Sequence, residues 1–315
     1  MSWTERAAPA PARRDGRITV VGNPGLDTLV VLAQDDPDLE ADGHFVRNVD
    51  TVGHAAAFAA RGCARLGHRT RLLGSTGADV IGGLVRDVLA ADGIDLSLMF
   101  DDPTGTARSV NFVRPDGRRT FFFDGGSHMT LRPPAAAVEA ALSGTDLVFS
   151  SLPNWGRDVV RRAREAGVPV AVDLQDVRDP ADPYRADFVA CADYLFASAA
   201  HLQDPVDAAA SWFAAGPATL VVFGMGPRGA MLVERAEGAC PVVTQCPPPP
   251  IDLPIVDTTG AGDSLATGFL DGLLFAGLSR SAALRRGQVL ARIVASALGG
   301  DARVDRSRLD ALTAG

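Results

Sequence analysis

The residues best suited to chemistry lie in one run near the carboxyl end, IVDTTGAGDSLATGFL at residues 255–270. Gly260, Ala261 and Gly262 carry at most a methyl group, so their backbone N–H groups stand unshielded where a helix begins. The positive end of the helix dipole favours an anion at such a place, and a transferring phosphoryl group is one. Asp263 follows within the first turn. An Asp there can simply cap the helix. Beside an anion-binding nest it also stands where a general base would accept a hydroxyl proton next to the developing phosphoryl charge. A second carboxylate, Asp27, follows the apolar run ITVV and the turn Gly-Asn-Pro-Gly, which places it in a loop at the carboxyl end of a strand.

Composition narrows the chemistry further. The chain has 315 residues, 47% of them hydrophobic and 22% charged, enough to bury a large core. Net charge is −8, so there is no global field for nucleic acid or an anionic membrane surface, although a local basic patch stays open. All 30 basic residues are arginine. Without a lysine, neither a Walker-type phosphate loop nor Schiff-base chemistry can operate. Phosphate must be met by arginine, backbone N–H groups, a helix dipole or a metal. Cys63, Cys191, Cys240 and Cys246 are scattered with no CxxC pair, which fits free thiols in a cytoplasmic protein. The five histidines lack the HExxH spacing of a zinc site. No stretch of 18 uncharged apolar residues exists to span a membrane. Residues 1–16, with charges and prolines but no apolar segment, read as a disordered leader.

The elements that must position these residues alternate between β and α. Short apolar strands (ITVV, RTRLL, TDLVFSS, VPVAVDL, DYLFAS, TLVVFGM) take turns with helical stretches such as AAAFAARGCARLG and GRDVVRRAREAG. Strands this apolar lie inside a parallel sheet with helices on both faces, which makes the fold class α/β. Two excursions, near 29–51 and 105–124, leave that pattern. The second, TARSVNFV and RRTFFFD about a Pro-Asp-Gly-Arg turn, predicts a hairpin. Together they would form a small β lid over the carboxyl ends of the parallel strands, where open α/β sheets bind their ligands.

DTTGAGD followed by a small-residue helix resembles the second signature of the ribokinase-like (PfkB) carbohydrate kinases. The likeness runs from about Arg17 to Leu312 and takes in VGHAAAFAARGCARLG, GSTGADVIGGLVRDVLAADGID, the lid strands with DGRRT, and the turn GMGPRGA. The resemblance implies a three-layer αβα sandwich with a mostly parallel central sheet and a β lid, spanning residues 17–312 as one kinase domain. It implies ATP-dependent phosphorylation of an alcohol group by direct in-line transfer, with Mg2+ and a potassium ion. Asp263 would be the base and Gly260, Ala261 and Gly262 the anion hole. Asp27 would hold substrate hydroxyls. Asp257 and Thr259 would line the monovalent-cation site, with carbonyls near Ala295 and Gly299. Gly224, Gly226 and Gly229 would lie against the nucleotide, Ser198 near its phosphates, and Gln288 near the adenosine. An ordinary glycine turn and a solvated Gln remain open for these last positions. The substrate would be a sugar or nucleoside, and lid strands could pair two copies of the chain into a homodimer.

The sequence departs from that pattern in two places. The paired glycines and sugar-binding Asn of the first signature read Val52, Gly53 and Ala57 here, and Gly25 stands where another Asn is common. His54, after Gly53, could supply a substitute contact or could be solvated. Where the family often carries Asn-x-x-Glu, this chain has Ser198 and His201. Arg108, Arg118 and Arg119 could neutralise phosphates from the lid or pair with Asp116 and Asp124 across the hairpin. Two further readings stay beside the sugar kinase: a nucleoside kinase, favoured by lid phenylalanines, and a binding protein that phosphorylates nothing.

Overall fold

The computed structural model describes residues 15–35, 37, 38, 40–236, 238 and 240–314, so all but the last two residues of the expected leader lie outside it. Its elements run β1 (Arg17–Val21), β2 (Gly25–Val31), β3 (Arg47–Gly53), α1 (His54–Arg65), β4 (Arg69–Leu73), β5 (Ser75–Thr76), α2 (Val80–Ala91) and β6 (Phe100–Asp101). Then follow β7 (Arg108–Val113), β8 (Arg119–Asp124), α3 (Ala135–Leu142), β9 (Leu147–Ser150), α4 (Gly156–Glu165), β10 (Val170–Asp176), α5 (Pro183–Val189), β11 (Tyr194–Ser198), α6 (Pro205–Ala215) and β12 (Leu220–Gly224). The chain closes with β13 (Ala230–Glu234), β14 (Val242–Cys246), α7 (Ala261–Leu270), α8 (Arg280–Val294) and α9 (Arg306–Ala314).

Eight strands form the central sheet in the order β14-β13-β12-β11-β10-β9-β1-β4. From β4 to β12 neighbours run parallel, and β13 and β14 close one edge antiparallel. Successive residues of one strand feed opposite faces. Val170 and Val172 pack with α4, α5 and α6 around Trp212 and Phe188, while Ala171 joins α1, α2, α7 and α8 on the other side. Leu195 and Phe196, and Val221 and Val222, divide in the same way. A strand apolar at every position is what a sheet covered on both faces requires, and the result is a three-layer αβα sandwich.

The lid is a separate four-stranded sheet in the order β3-β2-β7-β8. Its first strand begins at Gly25, four residues before the excursion the sequence suggests, and so takes in Asp27, which the sequence places in a loop. The turn Gly-Asn-Pro-Gly ends at the strand's first residue, and the polar side chains Asp27 and Thr28 interrupt the apolar run that would have marked the strand. Residues directly opposite in a ladder share a face. Asp27 pairs with Thr51 and Ser109, Ser109 with Phe123, and Asn111 with Phe121. One face of the lid therefore carries Asp27, Ser109, Asn111, Phe121 and Phe123. The other face carries Val110, Phe112 and Phe122, with the last two rings 5.5 Å apart.

Candidate active site

The run DTTGAGD folds as a tight entry into α7. Asp257 is fully buried, and its two oxygens staple the loop: Oδ1 accepts from Thr259 N (2.9 Å) and Oγ1 (2.8 Å), and Oδ2 from Gly299 N (2.8 Å). Gly260 caps the helix at φ +74°, a left-handed conformation that a side chain would strain, and any Cβ there would meet the Phe58 ring at 3.1 Å. The Ala261 N–H turns back onto the Thr258 carbonyl (3.2 Å), so it is not one of the free donors. No acceptor for the Gly262 N–H lies among the described residues, and the space above its Cα is open. Asp263 follows Gly262 in the first turn of α7, partly exposed to water. Burial pushes its carboxyl well above the usual carboxylate range, the charge of Asp173 adds to the rise, and Arg119 opposes it.

Asp27 is buried in the lid (4% exposed) and held by two donors. Its Oδ1 accepts from the Ser109 hydroxyl, which in turn accepts from Asn111 Nδ2 (2.6 Å). Its Oδ2 accepts from the His54 N–H (3.2 Å), and a Cβ on Gly53 would meet that oxygen at 2.0 Å. Gly53 is thus the residue that lets the carboxylate come close. His54 opens α1 at φ +67° with its side chain 8% exposed. Nε2 lies 3.3 Å from Asp27 Oδ1 but off the hydrogen-bonding direction, and neither ring nitrogen has a hydrogen-bond partner among the described residues. Burial holds the imidazole below its ordinary pKa against the pull of Asp27, so the ring is neutral at pH 7. A Cβ on Gly25 would meet His54 Cε1 at 2.2 Å. Gly25, where another Asn is common, and His54, the residue after Gly53, are therefore one feature: the small residue makes room for the ring. Ala57 is fully buried among the core side chains and offers no polar contact.

The lid reaches the nest directly. Thr258 Oγ1 donates to the Gly117 carbonyl (3.3 Å) at the hairpin turn, and Arg119 Nη1 donates to Thr259 Oγ1 (3.3 Å). Arg118 pairs with Asp116, two residues before it in the hairpin turn (2.5 Å), and among the described residues neither Arg108 nor Arg119 pairs with Asp116 or Asp124.

The remaining expected positions lie along the carboxyl edge of the sheet. Ser198 ends β11 and its hydroxyl accepts from Ala200 N (3.2 Å), closing the turn that follows. His201 Nε2 lies 3.4 Å from Asp176 at the end of β10, which puts a carboxylate at this corner from a different strand. Gly224 ends β12, and Gly226 and Gly229 adopt φ +57° and +94° in the turn into β13. A Cβ on Gly229 would strike the Cys246 carbonyl at 2.1 Å, so close strand approach alone demands glycine there. Gln288 is buried on α8.

Four contributors were not singled out from the sequence. Asp173, buried in β10, is raised to about 6 by burial. Phe58 underlies Gly53, Gly260 and Gly300. Ser109 and Asn111 extend the Asp27 network; their signal was a polar residue at every second place of β7, which marks a face turned toward something other than core. Among the described residues no helix is long and apolar enough to cross a membrane, and no three acidic, His or Cys side chains cluster as metal ligands.

Known proteins share both the sequence and the shape. The chain is 30% identical to the acarbose 7(IV)-phosphotransferase of Actinoplanes sp. over 279 residues, 86% of this chain and 89% of that protein. It is 28% identical to the fructokinase of Klebsiella pneumoniae over 284 residues, 84% of this chain and 86% of the other. A microbiome-derived acarbose kinase of known structure superposes with a TM-score of 0.86 at 32% identity, covering 96% of this chain and all of that one. With its match extending over residues 32–305, the chain belongs to the pfkB family of carbohydrate kinases, enzymes that transfer phosphate to a hydroxyl group.

Proposed function

We propose that this kinase moves the γ-phosphoryl group of ATP directly onto a hydroxyl of a sugar or sugar-like molecule held between Asp27 and Asp263. The observation that carries the reading is the arrangement at the start of α7: a left-handed Gly260, an open Gly262 N–H and an Asp263 whose proton affinity is raised. A base with raised affinity is suited to take the hydroxyl proton as the new P–O bond forms. The nest N–H and the helix dipole oppose the charge that develops on the phosphoryl oxygens. Arg119 adds the positive charge that a lysine-free chain must find in arginine.

Asp27, fixed by Ser109 and the His54 N–H, accepts hydrogen bonds from substrate hydroxyls, and the unpartnered His54 nitrogens offer a further contact. Gly53 serves by admitting the carboxylate. ATP lies along the carboxyl edge of the sheet, against the turn of Gly224, Gly226 and Gly229, with Ser198 toward its phosphates and Gln288 toward the adenosine. Asp176, at the end of β10, is the carboxylate on this edge that would help hold a Mg2+ brought by ATP, whose charge would neutralise the phosphates. The oxygen set of Asp257, Thr259 and the Ala295 carbonyl fits a hard monovalent cation in kind. Because three donors already hold Asp257, its staple works with or without potassium.

The enzyme is assigned to the cytoplasm, where ATP is plentiful. Two copies pairing through the lid would bury the apolar outer face of Val110, Phe112 and Phe122. The test is ADP release with Mg-ATP across monosaccharides, oligosaccharides and nucleosides, in potassium and in sodium, with the phosphorylated product identified by mass. Turnover of sugars supports the reading, turnover of nucleosides alone replaces it, and silence with ATP bound turns it toward a non-catalytic binding protein.

A further inference from the structure

Phe121 and Phe123 are 56% and 52% exposed, although they sit on the inward face of the lid with Asp27, Ser109 and Asn111. Their strand, β8, is the outermost of that sheet, with no strand beyond it among the described residues. Phe123 stands edge-on to the His54 ring, 5.1 Å between centroids, and Arg119 Cζ lies 5.9 Å from the Phe121 centroid while its Nη1 reaches Thr259. The row Arg119, Phe121, Phe123 thus runs alongside the cleft from the nest to the Asp27 network. β8 is two strand positions from β2, so roughly 10 Å separates this ledge from Asp27. That spacing reaches from a ring held by Asp27 to one ring beyond it.

Exposed phenyl faces beside a polar pocket mark a ligand groove. The C–H faces of a pyranose are apolar while its rim is hydroxylated, so such a ring stacks on the phenyls with its rim free for Arg119. His54, buried with both ring nitrogens lacking a hydrogen-bond partner, meets the ledge where the first ring would end. We infer that Phe121 and Phe123 form a stacking subsite for a second ring, so that the preferred acceptor is a glycoside of two or more rings instead of a free monosaccharide. This inference rests on the reading of the cleft as a sugar site.

The test compares glucose, maltose, maltotriose and acarbose on the wild type, on Phe121→Ala/Phe123→Ala, and on Phe122→Ala, which lies on the opposite face of the same strand. Two readouts are taken: KM and kcat, and calorimetric binding of maltotriose and acarbose without turnover. The subsite predicts that the double variant lowers the preference for multi-ring over single-ring acceptors by about tenfold, in KM more than kcat, with Phe122→Ala keeping the preference. Loss that is equal for one ring and several overturns the subsite while leaving the kinase reading intact. So does a double variant that keeps the preference but dissociates a dimer, since a second copy would then cover the ledge. If no sugar turns over in the wild type the kinase reading fails instead. Calorimetry then decides the subsite: maltotriose bound by the wild type and released by the double variant supports it, and equal or absent binding overturns it.

Discussion

Arg119, on the lid, donates a hydrogen bond to Thr259 Oγ1 at 3.3 Å across 140 residues of sequence. Thr259 precedes the glycine nest and is tied to Asp257, so the contact joins lid strand β8 to the loop that would hold the transferring phosphoryl. Lid position and nest charge are thereby coupled.

Replacing Arg119 by Ala removes both the tie and the charge that opposes the rise of Asp263. The expected result is a fall in kcat of about a hundredfold, the scale of losing one charge-stabilising group at a transfer site. The acidic limb of the pH–rate profile moves to higher pH. A profile and kcat unchanged in Arg119→Ala would remove the residue from the mechanism.

Burial, then the charge of Asp173, raise the affinity of Asp263 for a proton, so turnover climbs with pH as the carboxyl ionises. Asp173→Asn removes that neighbouring charge and shifts the limb to lower pH. Stability changes with the opposite sense. Asp173 is itself raised to about 6 by burial, so its favourable share of folding is complete below the unfolded carboxyl pKa and is lost as pH rises through the folded value. Asp173→Asn therefore unfolds at a higher temperature than the wild type at pH 8 and at the same temperature at pH 4. Thermal melts at the two pH values, with rates alongside, check both signs.

Gly260 is required twice, by its φ of +74° and by the Phe58 ring 3.1 Å from where a Cβ would sit. Gly260→Ala is expected to lose about 1–2 kcal/mol from the backbone conformation alone. The displaced nest lowers kcat beyond what lost stability explains. Melting and turnover measured below the melting transition separate the two effects.

At the far end of α7 from the nest, Asp271 is 1% exposed and binds Arg286 (2.6 Å), Arg306 (2.6 Å) and His68 (3.1 Å). Burial would raise its carboxyl, but the His68 hydrogen bond and both arginines outweigh that and hold it below the ordinary range. Its stabilisation is present above the unfolded carboxyl pKa and is lost as pH falls through the depressed folded value. Asp271→Ala takes the buried carboxylate from Arg286 and Arg306, leaving them Asp310 and the Leu66 carbonyl, and is expected to cost about 3 kcal/mol at pH 7, the lower end for removal of one partner from a buried ion pair. The difference from wild type shrinks in acid, as urea titrations at pH 7 and pH 3 will measure.

The sandwich was legible in the sequence because its central strands carry unbroken apolar runs, as at Val170, Ala171 and Val172, and a sheet buried on both faces asks for that. The nest was legible because small residues and an Asp at a helix start have few other uses together. Asp27 was read as a loop residue because it and Thr28 interrupt the apolar run of their strand, and the residues that satisfy it, Ser109 and through it Asn111, lie more than 80 residues away. The role of His54 depends on the room left by Gly25, and that of Arg119 on a hairpin that docks against residues 255–259. Such relations belong to three-dimensional packing, and no spacing along the chain encodes them. The substitution at Ala57 is explained only as core packing.

The central claim is that Asp263 takes the proton from a sugar hydroxyl. The most direct measurement is the single-turnover rate of phosphosugar formation by Asp263→Asn, beside the wild type, with ATP binding measured on both. Asn keeps the size of the side chain and cannot serve as a carboxylate base. The account predicts ATP binding within a few-fold of wild type and a transfer rate lower by about 10²–10⁴. An Asp263→Asn protein that forms phosphosugar at the wild-type rate would contradict it.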